Sequence, residues 1–109
     1  MAQTITSKAP LNTMRVATGR YLDTGTVAAY TFETGFKPRY VKVVNLAASS
    51  SSFEWFEGMA DDSAWKVSTS GAFSLVTSNG ITVSANGFTL GLDTDVNVSS
   101  EQISWVCFG

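Results

Sequence analysis

The residues best suited to chemistry are acidic and lie in two short segments. Asp93, Asp95 and Asn97 in "LDTDVN" imitate the first half of a calcium-binding loop. The imitation ends there, because Val98 replaces the glycine that such a loop requires and Ser104 replaces its glutamate. This segment is therefore interpreted as an ordinary acidic turn.

A second acidic group consists of Asp61 and Asp62, with Glu57 nearby. These side chains could be assigned as the carboxylate pair of a glycosidase. Adjacent residues in a turn point apart, however, so they do not flank a scissile bond as such a pair must. We interpret them as a solvated turn.

The remaining catalytic chemistry is limited by composition. The chain of 109 residues has no histidine and one cysteine, which excludes Ser-His-Asp and Cys-His nucleophiles and the usual zinc sites. Cys107 shares a strand face with Ile103 and Trp105 and is predicted to be a buried thiol. None of the glycines precedes Lys-Ser or Lys-Thr, as a phosphate-binding loop requires. We expect no enzyme, no cofactor and no metal site.

Three cations, Lys37, Arg39 and Lys42, lie close together in "TGFKPRYVKVVN". A nucleic-acid site needs a basic domain, whereas this chain has a formal net charge of −2. The stretch is instead predicted to be a turn, broken by glycine and proline, that leads into a strand with its valines inward. We expect no nucleic acid among the partners. No apolar run reaches the ~18 residues that span a membrane, and the N-terminus lacks the apolar centre of a secretory signal, so membrane binding and secretion are not expected.

From Val16 onward, short alternating segments are separated by turn signals every eight to twelve residues, which is typical of an all-β domain. The predicted fold is an antiparallel β-sandwich, jelly-roll-like, of about eight or nine short strands over residues 15–109. Residues 1–14 are predicted to be an extended arm. Asn79-Gly80 and Asn86-Gly87 each predict a two-residue hairpin turn with positive φ angles, so the segments around them predict a three-strand meander.

Two strands carry bulky apolar residues on both faces. Phe53 and Trp55 are predicted to point inward, which leaves Phe56 on the other face. In the last strand Val106 and Phe108 lie opposite the cysteine-bearing face. A second apolar face requires a covering layer, which is either another subunit or a loop of the same chain, and we expect subunit association to provide it. The candidate partner-binding residues are these three outward ones, together with three from the arm: Phe56, Val106, Phe108, Ile5, Pro10 and Leu11.

Three segments, Gly35 to Asn45, Phe53 to Ala60 and Gly80 to Gly109, resemble a family of small virion proteins from tailed bacteriophages and prophages. In that family a Gly-Phe-Lys-Pro turn enters a valine-rich strand ending in Asn. A Trp/Phe strand then closes on Gly-Met, and a Gly-Phe-x-Leu-Gly hairpin leads to a final strand containing Trp.

The resemblance implies a structural role in the virion, with no catalytic signature. It implies a β-sandwich used as a capsid decoration (cement) protein or as a tail or fibre module, and we expect the decoration protein. The expected partners are the phage major capsid protein or neighbouring virion proteins, and other copies of the chain. A homo-oligomer is expected, with a trimer favoured because capsid lattices offer three-fold positions. The expected location is the virion, and the host cytoplasm during assembly.

The competing hypothesis is a carbohydrate-binding module for glycans on the host surface. It would place Tyr40, Trp55 or Trp65 on an exposed face, because aromatic rings of this kind stack on sugars. Exposure of these rings therefore discriminates between the two hypotheses.

Overall fold

A computed structural model of the chain describes residues 15–22, 25–47 and 50–109. The predicted arm, with Ile5, Pro10 and Leu11, lies outside the described residues. Eight strands and no helix are found in the described ranges, and none of these residues belongs to a helix long and apolar enough to cross a membrane. The strands are β1 (Val16–Leu22), β2 (Tyr30–Glu33), β3 (Tyr40–Asn45), β4 (Ser52–Phe56), β5 (Ser63–Val67), β6 (Phe73–Ser84), β7 (Gly87–Leu90) and β8 (Gln102–Phe108).

All eight strands belong to one antiparallel sheet, in the order β1-β8-β3-β4-β5-β6-β7-β2. The sheet curls into a half-barrel, with β1 and β2 at its two edges. The prediction of an all-β antiparallel fold is therefore confirmed. The two packed sheets of a sandwich or jelly roll are not confirmed, because the backbone ladders join every strand into a single sheet.

The inner face of the half-barrel holds the hydrophobic core. Alternation along each strand places every second side chain on this face, and Val41, Val43 and Phe53 are fully buried there. The inward positions predicted for Trp55 and Cys107 are confirmed. Burial raises the pKa of the Cys107 thiol, which keeps it protonated and unreactive.

An aromatic cluster fills the space between the two edge strands. Its members are Tyr21, Tyr30, Phe32, Phe88 and Trp105. The ring centroids of Tyr21 on β1 and Tyr30 on β2 are 4.4 Å apart, and Phe32 stacks on Phe88 at 5.0 Å. Trp105 of β8 reaches across to the same two phenylalanines, at 5.3 and 5.4 Å. Side-chain packing therefore connects β1 and β8 with β2 and β7.

The predicted turn at Asn79-Gly80 is wrong, because both residues lie inside the twelve-residue strand β6. Asn79 does have a positive φ of 59°, but this conformation occurs in a β-bulge and not in a hairpin turn. Ala64 of β5 pairs with Val76 and Ser63 pairs with Ile81, so residues 77–80 bulge out of the ladder. Gly80 is required at this position, since a Cβ would lie 2.5 Å from the Ser63 carbonyl carbon. The two segments predicted as separate strands are thus one bent strand.

The second Asn-Gly dipeptide does mark a hairpin, between β6 and β7. Ser84 pairs with Gly87, which leaves Ala85 and Asn86 as the two turn residues. Neither has a positive φ, so the backbone conformation predicted for this turn is wrong. Gly87 is instead needed for close approach, because a Cβ there would collide with the carbonyl oxygen of Phe32 on β2.

The acidic segment after β7 is a turn, as predicted, but it is tied to the sheet by Lys66 of β5. The Lys66 ammonium donates to both carboxylate oxygens of Asp93, at 3.1 and 2.9 Å, and to Asp95 Oδ2 at 2.9 Å. Lys66 and Asp93 are largely but not fully buried, with side chains 13% and 11% exposed. Burial lowers the pKa of Lys66, but the hydrogen bonds and negative charges of Asp95 and Asp93 outweigh it and raise that pKa above 10.5.

Candidate interaction surface

The convex side of strands β1, β8, β3, β4, β5 and β6 carries many apolar side chains that face solvent. We call this surface the outer face. It is formed by Val16, Tyr40, Lys42, Glu54, Phe56, Trp65, Phe73, Leu75, Val106 and Phe108. Such an apolar surface on a small domain marks a site of interaction.

One row of the outer face crosses four strands side by side. In the strand register Val16 lies opposite Phe108, Phe108 opposite Tyr40, and Tyr40 opposite Phe56. The ring of Tyr40 is 5.3 Å from that of Phe56 and 5.8 Å from that of Phe108. Phe56 remains 49% exposed and Phe108 37% exposed. The row is therefore a continuous aromatic strip that no described residue covers.

A second apolar group lies on β5 and β6. Trp65 pairs with Leu75 in the register, and its ring stacks on Phe73 with centroids 6.0 Å apart. Phe73 is 67% exposed, which is the highest value among the large hydrophobic residues of the described ranges. Since Glu54 of β4 lies opposite Trp65, this group and the aromatic strip belong to one surface.

The centre of the outer face is polar and carries both signs of charge. Lys42 of β3 lies directly opposite Glu54 of β4. The Tyr40 hydroxyl donates to Glu54 Oε2 at 2.6 Å. Burial, the hydrogen bond to Glu54 and the charge of Glu54 together raise the pKa of Tyr40 to about 12.

We expect Glu54→Gln to lower the pKa of Tyr40 from about 12 toward its ordinary value of 10.0, because the substitution removes the negative charge and the charged acceptor. Ultraviolet absorbance of tyrosinate during an alkaline titration measures this shift. Tyr40→Phe is the control, since it should remove the late component from the titration of the three tyrosines.

The sign of this effect on stability follows from the raised pKa. The contribution of the protonated Tyr40 hydroxyl to the free energy of unfolding is fully present below the ordinary pKa of 10.0 and is lost as the pH rises through about 12. A late tyrosine component that persists unchanged in the Glu54→Gln variant would contradict the assignment.

The cluster of cations that opens the third strand lies mostly at the rim of this surface. Gly35, with a φ of 86°, and the buried Pro38 form the predicted turn, so that interpretation is confirmed. Lys37 is exposed, and Arg39 Nε lies 3.6 Å from Glu57 Oε2, with both side chains nearly half exposed. An exposed pair of this kind contributes about 1 kcal/mol at most.

The structure brings together the described residues that were predicted to bind partners. Phe56, Val106 and Phe108 all lie on the outer face, and Val106 sits between Thr18 and Lys42 in the register. The other three candidates, Ile5, Pro10 and Leu11, fall outside the described ranges. The outward orientation that sequence alternation predicted for β4 and β8 therefore places these three residues on one surface.

The residues of the carbohydrate hypothesis are divided between the two faces. Trp55 lies in the core, 5% exposed, and its indole nitrogen donates to the Ala60 carbonyl at 3.4 Å. Trp65 is 40% exposed on the outer face, and Tyr40 is half-buried on the same face, next to Phe56. Only Trp65 and Tyr40 therefore have the orientation that a sugar-stacking role requires.

Sequence reasoning did not single out Val16, Phe73 and Leu75 as parts of an interaction surface. Phe73 and Leu75 do alternate with a polar serine, which is a signal for one shared face. Which face that is depends on the register with β5, and only the pairing of Trp65 with Leu75 shows it.

Comparisons with protein-family models, with curated proteins and with solved structures found no match to this chain. Its function must therefore be inferred from the residues and the geometry described above.

Proposed function

We propose that this chain is a structural protein of a bacteriophage virion, and that it decorates the head shell by binding neighbouring protein subunits through its outer face. The observation that carries the proposal is the exposed aromatic strip of Phe56, Tyr40 and Phe108, continued by Trp65 and Phe73. Solvent-exposed rings of this number are costly for a protein that works alone, and association removes them from water.

The family resemblance supports the choice of a virion. Its three matching segments contribute much of the outer face, including Tyr40, Phe56 and Phe108. We also propose that the fold is related to the β-sandwich that the family resemblance implies. The contact between Phe88 of β7 and Trp105 of β8 across the interior supports this part of the proposal, because the facing layers of a sandwich pack their side chains together.

The test is co-sedimentation of the full chain with heads that lack it, prepared from the phage that encodes it. We expect the wild-type chain to pellet with the heads and the double variant Phe56→Ser/Phe108→Ser to stay in the supernatant. Leu92→Ser is the matched control, because Leu92 is 46% exposed but follows β7 and lies outside the outer face. The control should pellet like the wild type.

Two results would overturn this proposal. The first is that purified virions contain no copy of the chain by mass spectrometry of their proteins. The second is that the outer-face variant pellets with heads as well as the wild type does, while circular dichroism shows both to be folded.

A second candidate function is a tail or fibre module that binds host-surface carbohydrate. It is favoured by the position of Trp65, whose exposed ring lies next to Glu54 and so offers a stacking surface beside a hydrogen-bond acceptor. Binding to a glycan array that is lost in Trp65→Ala, together with no binding to heads, would favour this function over decoration.

A further inference from the structure

The outer face is large enough to form a stable interface. Its exposed apolar side chains present on the order of 600 Å² of surface, at the upper end of what a monomer shows. A standard interface buries about 800 Å² on each partner, and a polar rim supplies the difference.

The charges at the centre of the outer face match a second copy of the same surface. Lys42 and Glu54 are neighbours across β3 and β4, so the face carries one charge of each sign side by side. Glu54 accepts a hydrogen bond from Tyr40. The Lys42 ammonium has no hydrogen-bond or ion-pair partner among the described residues. A surface with charges of one sign would repel a second copy of itself, whereas a surface with both signs can place opposite charges against each other.

A two-fold axis brings opposite charges and aromatic rings of the two copies into contact. If the axis runs along the strands between β3 and β4, Lys42 of one copy lies over Glu54 of the second copy, and the reverse contact forms at the same time. The same operation places Tyr40 over Phe56 of the second copy. Lys42 thus faces a carboxylate and Tyr40 faces another aromatic ring, and the aromatic strip becomes buried.

We propose that the outer face is a two-fold interface between two copies of this chain. The inference rests on the proposed use of this face for assembly: the neighbouring subunit that the face binds is a second copy of the chain, and the dimer is the form that decorates heads. It replaces the three-fold association expected from capsid lattices by a dimer, since the pairing of Lys42 with Glu54 is reciprocal only about a two-fold axis.

Sedimentation equilibrium on the full chain tests this proposal with two charge-reversal variants. Lys42→Glu makes the centre of the face acidic, and Glu54→Lys makes it basic. We expect the wild type to dimerise and each variant alone to do so at least roughly tenfold more weakly, because like charges then face each other. Mixed in equal amounts, the two variants should form a heterodimer with about the wild-type affinity, since every facing pair is again of opposite sign.

Arg39→Glu is the matched control, because it reverses a charge at the rim and should leave dimerisation within about threefold of the wild type. A wild-type chain that stays monomeric over the whole concentration range would overturn the proposal. So would a mixture of the two variants that remains monomeric while thermal unfolding shows both to be folded. A monomeric chain that still pellets with heads would refute this dimer and leave the proposed virion function intact.

Discussion

Phe88→Ala is expected to lower the free energy of unfolding by about 3–5 kcal/mol, the range for emptying an aromatic position in a packed core. Phe88 is fully buried, and its ring contacts those of Phe32 on β2 and Trp105 on β8, with centroids at 5.0 and 5.4 Å. Removing its ring leaves a cavity and removes two of the ring contacts within the aromatic cluster. Denaturant unfolding followed by circular dichroism measures the loss.

Phe73→Ala is the matched control, because it makes the same chemical change at a ring that is 67% exposed. It should cost less than about 1 kcal/mol at a protein concentration where the chain is monomeric. Equal losses in the two variants would show that the aromatic cluster does not hold the edges together.

Lys66→Met is expected to cost about 2–3 kcal/mol, because it leaves the largely buried carboxylate of Asp93 without its charged partner. The value lies below that for a fully buried pair since the second partner, Asp95, is 40% exposed. The double variant Lys66→Met/Asp93→Asn should recover part of the loss by removing the unpaired charge. Arg39→Met, which breaks the exposed pair with Glu57, should change stability by less than about 1 kcal/mol.

The pH dependence of the Lys66 effect has a definite sign. Since the pKa of Lys66 is raised in the folded state, its contribution is fully present below the ordinary value of 10.5 and is lost as the pH rises through the raised value. The difference in the free energy of unfolding between wild type and Lys66→Met should therefore stay constant from neutral pH to about pH 10.5 and then shrink. A difference that grows with alkaline pH would contradict this account.

Alternation along the strands was enough to predict the faces of β3, β4 and β8. Val41 and Val43, and the opposed pair Trp55 and Phe56, follow directly from a period of two. The strand order could not be predicted, because register and curvature depend on residues far apart in the chain. For the same reason the sequence could not predict that all eight strands join one sheet that curls into a half-barrel.

The error at Asn79-Gly80 has a similar origin. The dipeptide has the local chemistry of a hairpin turn, and Asn79 does adopt the positive φ that this chemistry favours. Tertiary contacts determine that the dipeptide forms a bulge and not a turn, since the backbones of Asp62 and Ser63 pack against Gly80 and the strand continues beyond it. Lys66 was missed for the same reason: the carboxylates that hold it lie 27 and 29 residues further along the chain.

The bulge at residues 77–80 has a consequence for how this protein can change shape over evolution. Before the bulge β6 pairs with β5; after it Ile81 pairs with both Ser63 of β5 and Leu90 of β7, and the rest of the strand pairs with β7, so the bulge lies where β6 passes from one neighbour to the other. The ladders that join β1, β8, β3 and β4 do not include the bulge. We therefore expect changes in the bulge to affect the β5–β6–β7 part of the sheet and to leave the aromatic strip in register.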